Sequence, residues 1–354
     1  MIFLIIVGAL VAGGTTAYVA SDDVRYLARA GLEETRILQS RESIARLVAD
    51  STTPADLRAS LRLVLDVRGY ADSLGLDAGR TYLKYADVGR DTLLLVLQAA
   101  PRDCICPHTW NWPIVGRMPY KGFFDARDAT READRLARRG LDVYLRPSGA
   151  FSTLGWFEDP LLSTALSPDS MELAATVFHE IAHNSLYVRS ATPFNESFAQ
   201  LVGYRSAERF FRDRGDSLDA SRAADRWHDE QLLGAFYTEL TERLNRFYAT
   251  RPDSAALDSG RVAEGRWARS RLEGVLRDSL RTYTIGALPD RPVNNARLIG
   301  ATIYRSHLDL FEAYYQAHDA DIARTVQALK ALTEGATGDE AFVRLAATVS
   351  AERH

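Results

Sequence analysis

The chain has 354 residues, 46% of them hydrophobic and 25% charged, with a formal net charge of −4. Such a composition suits a globular protein of one large domain or two smaller ones. Lysine occurs only at Lys84, Lys121 and Lys330, so the positive charge is arginine dispersed among acids. With no basic block interleaved with aromatics, the composition speaks against nucleic acid as a partner.

The first twenty residues, MIFLIIVGALVAGGTTAYVA, carry no charged side chain. That length just suffices to span a bilayer as a helix. A signal peptide is the competing reading, but the basic n-region is missing and Tyr18-Val19-Ala20 is a poor cleavage site. The expectation is an uncleaved membrane anchor over 1–20, followed by one domain over 21–354.

Residues 25–75 read as helices, with apolar spacing through Leu27, Leu32, Leu38, Ile44, Leu47, Leu61, Leu63 and Leu65. The run DTLLLVLQAAP (91–101) reads as a buried strand. An arginine-rich amphipathic helix over 126–139 leads to a second strand over 142–145, and aromatic and β-branched residues between Gly149 and Pro160 suggest a third. Cys104 and Cys106, one residue apart, would form a strained disulfide; free thiols or a labile redox pair are equally open. No third and fourth ligand nearby supports zinc binding by them.

Residues 179–183 read His-Glu-Ile-Ala-His. On an α-helix, positions i and i+4 share a face, so His179 and His183 can bind one metal ion together. Glu180 can lean over the open side of the metal and act as general base toward a water there. Leu173, Ala174, Val177, Phe178, Ile181, Ala182 and Leu186 recur at three- and four-residue spacing, which marks a buried helix where unpartnered polar side chains would be costly. A zinc site needs a third protein ligand. Downstream, Pro193 and Asn195 look like a helix start, with Asn195 as N-cap and Glu196 in the first turn. Two antiparallel helices would aim Glu196 at the metal, completing a His₂Glu site for one zinc ion per chain.

Residues 220–285 turn to long charged amphipathic helices broken near TRPDSAALDSG, with an apolar face through Trp227, Leu233, Phe236, Leu240 and Leu244. NNARLIGATIYRSHLDLFEAYYQ is helical in pattern and places Tyr304 and His307 on one face, with Asn294 and Asn295 as candidate caps. The fold class expected is α+β: a small sheet beside the metal helix and a mostly helical C-terminal half. Within 21–354, the helical N-terminal part covers 21–90, the sheet and metal helices 91–215, and the helical remainder 216–354.

The blocks PYKGFFDARDA (119–129), GLDVYLRPSGAFSTLGWFEDPLLST (140–164), VFHEIAHNSLYV (177–188), FNESFAQLVG (194–203) and NNARLIGATIY (294–304), in this order, resemble a bacterial aminopeptidase family of the gluzincin type. The resemblance implies a zincin-like metallopeptidase core. It implies zinc held by His179, His183 and Glu196, with Glu180 as general base and a peptide as substrate. It implies a sheet-edge strand before the metal helix, on which Ser152, Thr153, Leu154 and Gly155 would pair with extended substrate. An interior strand is the alternative there. It also implies an oxyanion donor on a later helix, Tyr304 first and His307 second. Export to the cell envelope, with the catalytic domain outside the cytoplasm, follows from the same resemblance. Two departures stand out. The expected cysteine after the leader is absent, which sets a lipid anchor in question. Gln200 occupies the place where many gluzincins carry an aspartate, so orientation of a histidine ligand has to come from elsewhere.

Overall fold

The computed structural model describes residues 22–112, 116–149 and 160–352. The expected anchor over 1–20 and the expected substrate strand, Ser152, Thr153, Leu154 and Gly155, lie outside the described residues. Among the described residues, no helix is long and apolar enough to cross a membrane.

Three helices, α1 (Asp22–Gln39), α2 (Ile44–Ala49) and α3 (Ala55–Ser73), fill the N-terminal region as the spacing predicts. Strand β3 (Leu94–Pro101) pairs antiparallel with β6 (Lys121–Phe123) on one side and β7 (Leu141–Ser148) on the other. Side chains alternate across this sheet. Leu95, Leu97, Ala99, Val143 and Leu145 face helix α4 (Ala126–Arg138), which buries Ala129, Ala133 and Leu136 against them. The opposite face carries Ala100 and Tyr144 toward helix α9 (Asn295–Thr302). There the Gln98 amide lies against Gly300, where a Cβ would collide with its Oε1. A second sheet joins three short strands in the order β1 (Glu42–Ser43), β2 (Lys84–Ala86) and β8 (Leu161–Leu162). Strands β4 (Trp110–Trp112) and β5 (Gly116–Met118) form a separate antiparallel pair.

The main core gathers around two helices, α5 (Ser170–Ser185) and α6 (Thr192–Asp213), together with α3 and the C-terminal helices α10 (Leu308–Ala317), α11 (Ile322–Leu332) and α12 (Glu340–Glu352). The long helix α7 (Ser217–Ala249) breaks where expected, and Asp253 restarts the chain as α8 (Ser254–Arg271) by accepting from the Ala256 N–H. The molecule is α+β with small sheets and a mostly helical C-terminal half, in agreement with the sequence.

Two local expectations are corrected, and one left open is decided. Helix α6 begins at Thr192, so Asn195 is not its N-cap, and Glu196 sits in the second turn. Asn195 is buried instead, with Oδ1 accepting from Val188 N (2.9 Å) and Nδ2 donating to Val188 O (2.8 Å). A side chain that satisfies both backbone groups of one residue fixes the turn between α5 and α6, which a cap would leave loose. The helix expected to run through Tyr304 and His307 stops at Thr302 and resumes at Leu308. His307 there adopts a left-handed φ of 52°. Its exposed ring packs against Phe342 at 4.8 Å, so it does not share a helical face with Tyr304. Cys104 and Cys106 are joined as a disulfide, and Cys104 O accepts from Asn295 Nδ2.

Candidate metal centre

Asp169 starts α5 by accepting from Met171 N (3.0 Å) and Glu172 N (3.2 Å). Both acids are then tied to α7, Asp169 by Arg222 and Glu172 by Arg226 at 2.7 Å. This use of Glu172 makes it part of the scaffold. The apolar residues expected inward (Leu173, Ala174, Val177, Phe178, Ile181 and Ala182) are all buried. That leaves His179 and His183 on the stripe facing α6.

The two helices meet closely. A Cβ on Gly203 would lie 2.9 Å from Ala175 O and 3.4 Å from His179 Cβ, so only glycine fits at this spacing. Gly203→Ala should push α6 away from the histidines, costing about 1–3 kcal/mol of stability. It should also weaken metal affinity by roughly tenfold, as loss of supporting geometry around ligands does. Denaturant midpoints and a zinc titration check this; unchanged affinity would mean that the crossing does not set the site.

Seven residues before Gly203, Glu196 projects from the same face of α6. Its Oε2 lies 3.2 Å from His179 Nε2 and 3.7 Å from His183 Nε2, and the two Nε2 atoms are 3.3 Å apart. Among the described residues, these three form a cluster that could hold a metal ion, all donor atoms lying within 4.8 Å of one another. The sequence expected this trio, and the structure brings it together. Electrostatics bind the cluster further. Burial pushes the Glu196 carboxyl up, but hydrogen bonds from both imidazoles and their charge outweigh it and hold it at about 2. Burial pushes His183 down; the Glu196 hydrogen bond and charge, with the Glu180 charge added, win and raise it above its ordinary value.

Tyr304 stands beside the cluster, its ring centroid 6.2 Å from that of His179. The turn carrying it is held on both flanks. Ser306 N donates to Ser197 Oγ on α6 (3.0 Å), and Arg305 Nε pairs with the buried Glu230 of α7 at 2.6 Å. Burial, then the nearby Glu196 charge, raise the Tyr304 hydroxyl well above the ordinary phenol range. The Glu180 charge also raises that hydroxyl and His183.

A family model described as “Putative aminopeptidase” matches residues 25–341. The chain belongs to this aminopeptidase family. No curated protein and no solved structure matches it. The match runs from α1 into α12 and so takes in both helices that carry the His179–His183–Glu196 cluster and the Tyr304 turn.

Two residues of this aminopeptidase-family chain were not singled out from the sequence. Tyr120 and Arg146 both act electrostatically on the same site: the Glu196 charge raises the Tyr120 hydroxyl after burial does, and the Arg146 charge opposes it. Their only sequence trace is that each lies inside a block carrying the family resemblance, at 119–129 and 140–164.

Proposed function

We propose that the protein is a zinc-dependent peptidase on a zincin-like core, acting as an aminopeptidase. The observation that carries this reading is the donor spacing. A tetrahedral zinc site with bonds of about 2.0–2.1 Å has donor–donor edges of roughly 3.3 Å. The three edges here measure 3.2, 3.3 and 3.7 Å. Two neutral imidazoles and one carboxylate are also the donor set of several catalytic zinc sites, which keep a fourth position open.

When bound, zinc supplies a Lewis acid that acidifies water and polarises a scissile carbonyl. Glu180, adjacent in sequence to the first ligand but outside the ligand trio, takes the proton from the attacking water and returns it to the leaving amine. Tyr304 donates its hydroxyl proton as a hydrogen bond to the developing oxyanion. Its raised pKa keeps that hydroxyl protonated at any working pH. The described residues form one metallopeptidase domain in this reading, held at the envelope by the N-terminal segment with the site outside the cytoplasm.

The test is zinc uptake by the full chain followed by hydrolysis of a mixed peptide library. One equivalent of zinc, and hydrolysis lost on chelation and restored by zinc, is the expected result. A folded protein that takes up no zinc overturns the reading.

A further inference from the structure

The register of the sheet places Arg146 opposite Val96, two residues along from Tyr144 and therefore on the same face. That is the face covered by α9, whose Ala296 and Ile299 pack on Tyr144 and whose chain continues directly into Tyr304. Val96 in turn packs in the cluster that includes Tyr120. Because α9 starts at Asp142, whose carboxylate accepts from Asn295 N, and runs past Tyr144, the Tyr304 turn that follows it lies toward the Arg146 end of this face. The Arg146 charge is felt by both tyrosine hydroxyls, as is the Glu196 charge.

Other part-buried arginines of this protein are paired. Arg205, Arg222, Arg226, Arg243 and Arg305 each meet a carboxylate within hydrogen-bond distance. Arg146 is only partly exposed, yet its guanidinium makes no ion pair or hydrogen bond among the described residues. A half-buried guanidinium is costly to leave without an anion, and its planar fork suits a carboxylate.

We infer that Arg146 receives a substrate carboxylate, so that the peptidase prefers short peptides whose carboxylate lies within a residue or two of the scissile bond. The chemistry is shared by a free C-terminus and an acidic side chain just beyond the bond. One residue of extended chain covers about 3.4 Å, so a di- or tripeptide keeps its C-terminus within roughly 10 Å of the reacting carbonyl. The inference rests on the peptidase reading and narrows it.

The experiment uses the zinc-loaded full chain and three substrates: a neutral dipeptide, its C-terminal amide, and a dipeptide amide with an aspartyl second residue. A charge-assisted bidentate contact predicts that kcat/KM falls by ~10–100-fold on amidation, mainly through KM. If the aspartyl amide recovers the loss, the side-chain carboxylate is also accepted; if it does not, the C-terminus is the group bound. Arg146→Met should bring the acid-to-amide ratio close to one, and Arg146→Lys should keep part of it. Equal rates on acid and amide in the unaltered protein overturn the inference while leaving the peptidase intact. A ratio that survives Arg146→Met removes Arg146 from the role. No hydrolysis of any peptide by zinc-loaded protein overturns both readings.

Discussion

Glu180→Gln should reduce peptide hydrolysis by about 10³-fold or more while one equivalent of zinc stays bound. General-base catalysis is worth typically ~10²–10⁴-fold, and an amide keeps the shape of the side chain while losing its ability to take a proton. The retention of metal is the sharper half of the expectation. The donor cluster draws its carboxylate from Glu196 on α6, and Glu180 is no part of it. Tyr304→Phe should show a different pattern, a loss of ~10²–10³-fold in kcat with little change in KM, because an oxyanion donor acts only in the transition state. Zinc content and steady-state kinetics on the same samples separate these outcomes. Loss of zinc from Glu180→Gln would make Glu180 a ligand and remove the general base from the proposal.

The metal trio was legible because its information is local. A four-residue spacing, an apolar periodicity and a carboxylate near the start of the next helix all sit within 173–196, and α5 and α6 follow that pattern. The helix break at 303–307 was not legible, since no proline marks it. What ends α9 is tertiary. Arg305 is drawn to Glu230, Ser306 N finds Ser197 Oγ, and Gly234 leaves room for the Arg305 carbonyl, which an added Cβ would approach to 3.0 Å. Those partners come from α7 and α6, between roughly seventy and a hundred residues earlier, beyond any window of local pattern. Asn195 failed as a cap for a related reason. The sequence offers a good capping residue at a helix start, but the turn bends back so that Asn195 meets Val188 with both ends of its amide. Arg146 and Tyr120 were hidden by register. Only the antiparallel pairing of β3 with β7 shows which side of the sheet Arg146 occupies.

Glu196→Ala should weaken zinc binding by at least ~100-fold, since it removes one of three ligands rather than a group supporting one. It should also flatten a pH dependence present in the metal-free protein. The folded Glu196 carboxyl is depressed to about 2, so its stabilisation is present above the unfolded carboxyl range and is lost as pH falls toward 2. The folded His183 imidazole is raised above 6.5, so its stabilisation is full below 6.5 and is lost as pH rises through the raised value. Both contributions coincide between about pH 4.5 and 6.5. In that window the melting temperature of metal-free protein should exceed that of Glu196→Ala most. Zinc binding runs the opposite way, because the metal takes a neutral imidazole and must displace the proton that Glu196 holds on His183. Zinc affinity should therefore fall as pH drops below the raised His183 value, with proton release on binding measurable by calorimetry in two buffers. A melting-temperature difference that stays flat from pH 4 to 8, together with pH-independent zinc affinity, would show that the three side chains neither share a proton nor exchange it for the metal.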